Sequence, residues 1–203
     1  ELKFKPEGLK EIVKLTGMDV MINMFTSQQG FTLDDFLNAN KCDILFSVSD
    51  LKLSGDTAVG MAASPKPSAT YLFATGINDK TAFGKLMAAG KKISAGKDSG
   101  VFYANTDKLF TIGNKQDAVT KYVAGGNNKF DFLDKLKDHP LAAYVDLQKI
   151  FTIIPTASMD SSDKIVLAES VKMWNKIYLS GGEFKDGGVM AKTEITLMDK
   201  STN

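Results

Sequence analysis

The feature that most constrains this chain is a strand that runs straight into a capped helix, and it occurs twice. Tyr71 to Ile77 has the aromatic and aliphatic content of a strand, and Asn78-Asp79 then offers an N-cap before Phe83, Leu86 and Met87, which share one helical face. That helix is expected to stop by Gly90. Val101 to Ala104 and Leu109 to Ile112 flank the turn-forming stretch Asn105-Thr106-Asp107-Lys108, the pattern of an antiparallel hairpin. Its second strand ends at Gly113-Asn114 and feeds a helix through Ala118, Val119, Tyr122 and Val123 to Gly125. Hairpins mixed with strand-to-helix steps specify an α+β fold, an antiparallel or mixed sheet with helices packed mainly on one face.

The remaining segments fit that class. Leu9, Ile12, Val13, Val20, Met21 and Met24 recur at three- and four-residue spacings, which predicts an amphipathic helix to about Phe25, interrupted at Gly17. Thr32 with Asp35 forms a capping-box signal for a short helix ending near Asn40, and Ile44 to Ser49 alternates as a half-buried strand does. Ser54 to Ser68 reads as a hairpin loop or a weak edge strand around Val59 to Ala62. Asn128 is expected to cap a helix carrying Phe132, Leu133 and Leu136, ended by His139-Pro140, before a buried strand from Leu141 to Leu147. Ile165 to Met173 and Trp174 to Leu179 look strand-like, and Ser180 to Gly188 reads as a glycine-rich turn. From Val189 to Met198, Val189, Ala191, Ile195 and Leu197 share a face opposite Lys192, Glu194 and Thr196. These predict a long C-terminal hairpin. No fixed-period repeat and no dividing linker is evident, so residues 1–203 are read as a single α+β domain, a fragment of a longer chain.

Side-chain chemistry narrows function by exclusion. All 25 basic residues are lysines, so the planar, bidentate fork that favours phosphate and guanine recognition is absent, and nucleic-acid binding is not expected. The 18 Asp and 6 Glu leave a net charge of +1, too small to steer a charged partner. One cysteine, Cys42, and one histidine, His139, exclude an internal disulfide and any motif needing two of either. No metal site and no cofactor are expected. Phosphate-binding loops, dinucleotide fingerprints and nucleophile elbows are missing as well.

Weaker signals have ordinary explanations. The S-x-x-K pattern of Ser–Lys acyl enzymes occurs at Ser49-Lys52, Ser94-Lys97 and Ser161-Lys164, but 14 Ser and 25 Lys in 203 residues produce about two such matches by chance. His139 has no evident orienting partner, and Cys42 reads as a small buried hydrophobe. Asp160-Ser161-Ser162-Asp163 offers oxygen ligands that calcium accepts, though a helix cap or Asx turn explains it equally. Asp131, Asp134 and Asp138, interleaved with Lys135 and Lys137, read as a solvated helix face. The candidates for ligand contact are apolar: Met21 and Met24, in a methionine cluster suited to adaptable surfaces, and Trp174 with Tyr178, whose alternate positions place them on one strand face.

The stretch Phe36-Leu37-Asn38-Ala39-Asn40-Lys41 before a strand, then Tyr71-Leu72-Phe73-Ala74-Thr75-Gly76-Ile77-Asn78-Asp79-Lys80 entering a helix, resembles the uncharacterised Bacteroidetes cell-envelope proteins grouped as a domain of unknown function, many of them predicted lipoproteins. The closing Thr193-Glu194-Ile195-Thr196-Leu197-Met198-Asp199-Lys200 is similar to the end of their globular part. The resemblance implies an α+β envelope domain on the periplasmic or outer side, tied to a membrane only through a lipidated cysteine upstream. It brings no catalytic residues. Two functions follow as expectations: a non-enzymatic domain that binds or scaffolds a protein, glycan or lipid partner, or a hydrolase using Asp or Ser side chains.

Overall fold

The computed structural model describes residues 1–54, 66–94, 100–125, 132–157 and 159–198. The expected weak strand around Val59 to Ala62, the capping Asn128 and the residues Asp131 and Lys97 lie outside the described residues. The fold is α+β, with antiparallel ladders, and the chain divides into two compact units. One comprises Glu1–Ser47 and Tyr71–Asn127, the other Val48–Thr70 and Asn128–Asn203.

The elements centred on the first unit are β1 (Leu2–Lys3), α1 (Pro6–Leu15), α2 (Met18–Gln29), α3 (Leu33–Ala39), β2 (Asn40–Ser54), β3 (Lys66–Ile77), α4 (Lys80–Ser94), β4 (Phe102–Asn105), β5 (Leu109–Gly113) and α5 (Gln116–Ala124). Gly17, at φ 70, makes the expected break between α1 and α2, because only a residue without Cβ adopts that backbone cheaply. The capping box forms: the Asp35 N–H donates to the Thr32 hydroxyl at 3.1 Å and the Thr32 N–H to the Asp35 carboxylate at 2.9 Å. Asp79 caps α4 by accepting from the Thr81 and Ala82 N–H groups at 2.7 and 3.0 Å. α4 then runs past Gly90 to Ser94, since one interior glycine costs a helix only about 1 kcal/mol relative to alanine.

The strands of this unit lie in the order β4-β5-β3-β2-β1. Pairing of Phe73 with Ile112, Thr75 with Phe110, and Tyr103 with Ile112 puts these five side chains on one face. Leu72, Ala74, Gly76, Thr111 and Gly113 occupy the other. α5 covers that second face through Val119, which is fully buried, and a Cβ on Gly113 would stand 2.5 Å from the Tyr71 carbonyl oxygen and 3.2 Å from a Val119 methyl. α3 and α4 lie over the first.

The second unit holds α6 (Leu133–Leu136), β6 (Leu141–Asp146), α7 (Leu147–Thr152), α8 (Ser161–Met173), β7 (Trp174–Lys185) and β8 (Gly188–Leu197), its strands forming the antiparallel meander β6-β7-β8. Leu136, Ala142 and Tyr178 make its buried cluster, with Phe132 stacked on Tyr144 at 4.2 Å. Two expectations need correcting. Ile165 to Met173 is helical, within α8: Asp160 accepts from the Asp163 N–H at 2.8 Å and the Ser162 hydroxyl at 2.7 Å, so the acidic loop is a cap, and Ile165 and Val166 are 64% and 65% exposed. The expected turn lies within Ser180 to Gly188 but is shorter than that stretch, whose first residues stay in the strand. β7 continues through them by a bulge at Gly181-Gly182, at φ 147 and 89, where a Cβ on Gly181 would lie 2.4 Å from the Met190 carbonyl oxygen. The hairpin closes later at Asp186-Gly187, both with positive φ, the two-residue loop that suits strand twist.

Candidate functional site

α4 presents Phe83, Leu86, Met87 and Gly90 at helical spacing toward the face that carries Phe73, Thr75, Phe110 and Ile112, and the space between them is a cavity of about 390 Å³. Phe36 from α3 and Tyr103 from β4 line it too, and at 47% and 48% exposed they mark where it opens to solvent. The rings brace one another around the void, Phe83 edge-on to Phe110 at 5.4 Å and Tyr103 tilted against Phe110 at 6.5 Å. The Thr75 hydroxyl is buried in this wall and has no hydrogen-bond partner among the described residues.

A second concavity, about 340 Å³, lies in the second unit between α6 and the β7–β8 hairpin. Its character is opposite. Lys135 pairs with Glu194 and stands 4.5 Å over the Tyr178 ring, Lys192 also reaches Glu194 at 3.5 Å, and His139 Nδ1 meets the Glu183 carboxylate at 2.6 Å. The hydrogen bond from Lys135 holds the Glu194 carboxyl below the usual range, and that from His139 does the same for Glu183. The expectation that His139 lacks an orienting partner is therefore wrong. Glu183 lies 44 residues away in sequence and reaches the histidine only because β7 continues past the glycine bulge.

The four predicted contact residues fall in different places. Trp174 and Tyr178 are not on one face, because the bulge between Trp174 and Lys176 reverses the alternation: Trp174 faces with its partner Leu197, Tyr178 with Glu194. Tyr178 is 8% exposed and forms part of the second unit's core. Met21 and Met24 sit on an outward arc of α2 with Met18, Val20 and Phe25, all between 45% and 72% exposed. The helix is turned so that polar groups point inward, Asn23 accepting from the Leu33 N–H at 2.9 Å and Thr26 buried.

Among the residues with reactive side chains, Cys42 is fully buried and its thiol is pushed up by desolvation and by the nearby Asp43 and Glu7 carboxylates, which makes it inert. Ser49 and Lys52 are exposed along β2. Among the described residues no group of three or more His, Cys, Asp or Glu side chains gathers to hold a metal, and no helix is long and apolar enough to cross a membrane. Sequence reasoning does not single out the cavity, yet Phe73, Thr75, Phe110 and Ile112 follow strict alternation on adjacent predicted strands, a signal that could have found it.

Among the described residues, this α+β fold carries an apolar cavity in the first unit and a groove of paired charges in the second. No family model, no curated protein and no solved structure matches the chain.

Proposed function

We propose that this is a non-enzymatic binding domain whose ligand is a small apolar or amphipathic molecule, of lipid class, held in the cavity of the first unit. The observation that carries the reading is the placement of the large rings: Phe73, Phe83, Phe110 and Tyr103 surround empty space while smaller side chains on the opposite sheet face are packed shut. Close packing is the rule in protein interiors, so an open aromatic-lined space of this size is the default location for a ligand. A dry cavity of about 150 Å³ accepts benzene, and in proportion this one accepts on the order of 15 heavy atoms. The envelope location implied by the family resemblance suits such a ligand.

Titration with the neutral fluorophore N-phenyl-1-naphthylamine tests this. The expected result is saturable, one-to-one fluorescence enhancement that is abolished by Leu86→Trp, which fills the cavity, and kept in the double variant Met21→Lys/Met24→Lys. A signal that disappears with the methionines and survives in Leu86→Trp would place binding on the α2 surface and refute the reading, as would no saturable signal at all.

A further inference from the structure

We infer that the cavity selects a neutral ligand carrying a hydroxyl or carbonyl oxygen, and that Thr75 is the residue that recognises it. This rests on the cavity reading above and adds the ligand's polar group.

Thr75 stands opposite Phe110 on the strand ladder, between the rings that line the void. Its hydroxyl is buried without a partner among the described residues, in contrast to Thr111 one strand away, whose hydroxyl donates to the Phe73 carbonyl at 3.0 Å, and to Thr26, which donates to the Ile22 carbonyl at 2.9 Å. The third buried threonine, Thr70, donates to the Asp50 carboxylate at 2.8 Å; the Thr75 hydroxyl, at a cavity wall, finds no acceptor among the described residues. Leaving a hydroxyl unsatisfied is unfavourable, and valine would fit the same strand position without that cost. An incoming oxygen would satisfy the group, since a hydroxyl both donates and accepts.

The charge of the ligand follows from the same lining. Asn40 and Tyr103 line the cavity as well, but the Asn40 amide donates to the Phe36 carbonyl and accepts from the Cys42 N–H, and Tyr103 is at the exposed mouth. An ionised carboxylate or phosphate buried beside Thr75 among Phe73, Phe83 and Phe110 would therefore be heavily penalised by desolvation, and the oxygen belongs to a neutral alcohol, phenol, ketone or aldehyde. Lys91 also lines the cavity, but it is exposed on α4.

The test is displacement of N-phenyl-1-naphthylamine by a matched pair, biphenyl and 4-hydroxybiphenyl, from the full chain and from Thr75→Val and Thr75→Ser. The preference for 4-hydroxybiphenyl over biphenyl should fall about tenfold in Thr75→Val, the loss of one neutral hydrogen bond, and return in Thr75→Ser. If both compounds bind and the preference stays within about twofold across the three proteins, Thr75 does not read the ligand and the inference fails while the cavity reading stands. If neither compound nor the fluorophore binds the unmodified chain, both fail together.

Discussion

On the α5 face the sheet of the first unit carries Leu72 and the smaller Ala74, Gly76, Thr111 and Gly113 and is closed; on the α4 face the same strands carry Phe73, Thr75, Phe110 and Ile112 and line a cavity. The difference runs against residue size. The missing side chain at Gly113 lets Val119 settle directly on the backbone there, whereas the rings on the other face prop one another beside the cavity. Closure depends on interdigitation, and apolar content alone does not supply it. On the proposed function, the α5 side contributes stability and the α4 side would receive the ligand.

The comparison breaks most easily at Gly113. Gly113→Val would drive a side chain into the Tyr71 carbonyl and the Val119 methyl, neither of which can yield without moving the backbone, and should cost about 3 kcal/mol or more of stability in urea denaturation. Val119→Ala should cost about 2.5 kcal/mol, from lost transfer energy and the hole left in a closed layer. Phe73→Leu, on the hollow side, should cost under about 1 kcal/mol, because the ring already faces empty space. Equal costs for Val119→Ala and Phe73→Leu would erase the distinction between the faces.

Much of this architecture is legible in the order of the amino acids. The Thr32/Asp35 box, the Gly17 break, the Asp79 cap and the β4–β5 hairpin are local devices whose residues are adjacent, so sequence spacing reports them directly. Spacing misleads where a local preference loses to a neighbour's geometry. Ile165 and Val166 look like strand residues, but the Asp160 cap starts a helix there and no strand partner competes. Ser180 to Gly188 reads as one glycine-rich turn, yet only Asp186-Gly187 within it closes the hairpin, and Gly181-Gly182 becomes a bulge in the strand. The other bulge, between Trp174 and Lys176, shifts side-chain parity, which is why Trp174 and Tyr178 do not form the aromatic face that their spacing suggests. The His139–Glu183 pair cannot be read from sequence at all, since it depends on register between segments 44 residues apart.

Two milder substitutions sharpen the contrast from the hollow side. Thr75→Val should raise stability by about 1 kcal/mol in the ligand-free protein by removing a buried unsatisfied hydroxyl, whereas replacing Thr111 with valine, which breaks a made hydrogen bond, should lower it by a similar amount. Gly90→Ala should add roughly 0.5–1 kcal/mol through helix propensity alone, since a Cβ there meets nothing within 4 Å. Paired thermal denaturation scans would reveal both, and a destabilised Thr75→Val would mean that its hydroxyl has a partner after all.

The smallest expected effect concerns how the roof of the cavity is held. Lys85 on α4 donates to the Asp35 carboxylate on α3 at 2.7 Å, and the same carboxylate accepts from the Thr32 N–H at 2.9 Å, so Asp35 both caps α3 and ties it to α4. The Lys85 hydrogen bond, followed by that from the Thr32 backbone, keeps its carboxyl below the ordinary aspartate value. A depressed carboxyl stabilises the folded state fully above its unfolded pKa, about 3.9, and loses that contribution as the pH drops through the lower folded value. Nothing should change between pH 6 and 8. As the pH falls below the ordinary aspartate value toward the lower folded one the tie weakens, and because it spans the two roof helices, fluorophore binding should decline there more than the stability of the α5 side does. In Asp35→Asn, which keeps a capping oxygen but no charge, the acid limb of the binding curve should be flatter than in the unmodified chain; parallel limbs would mean that the tether to Lys85 contributes nothing to the cavity.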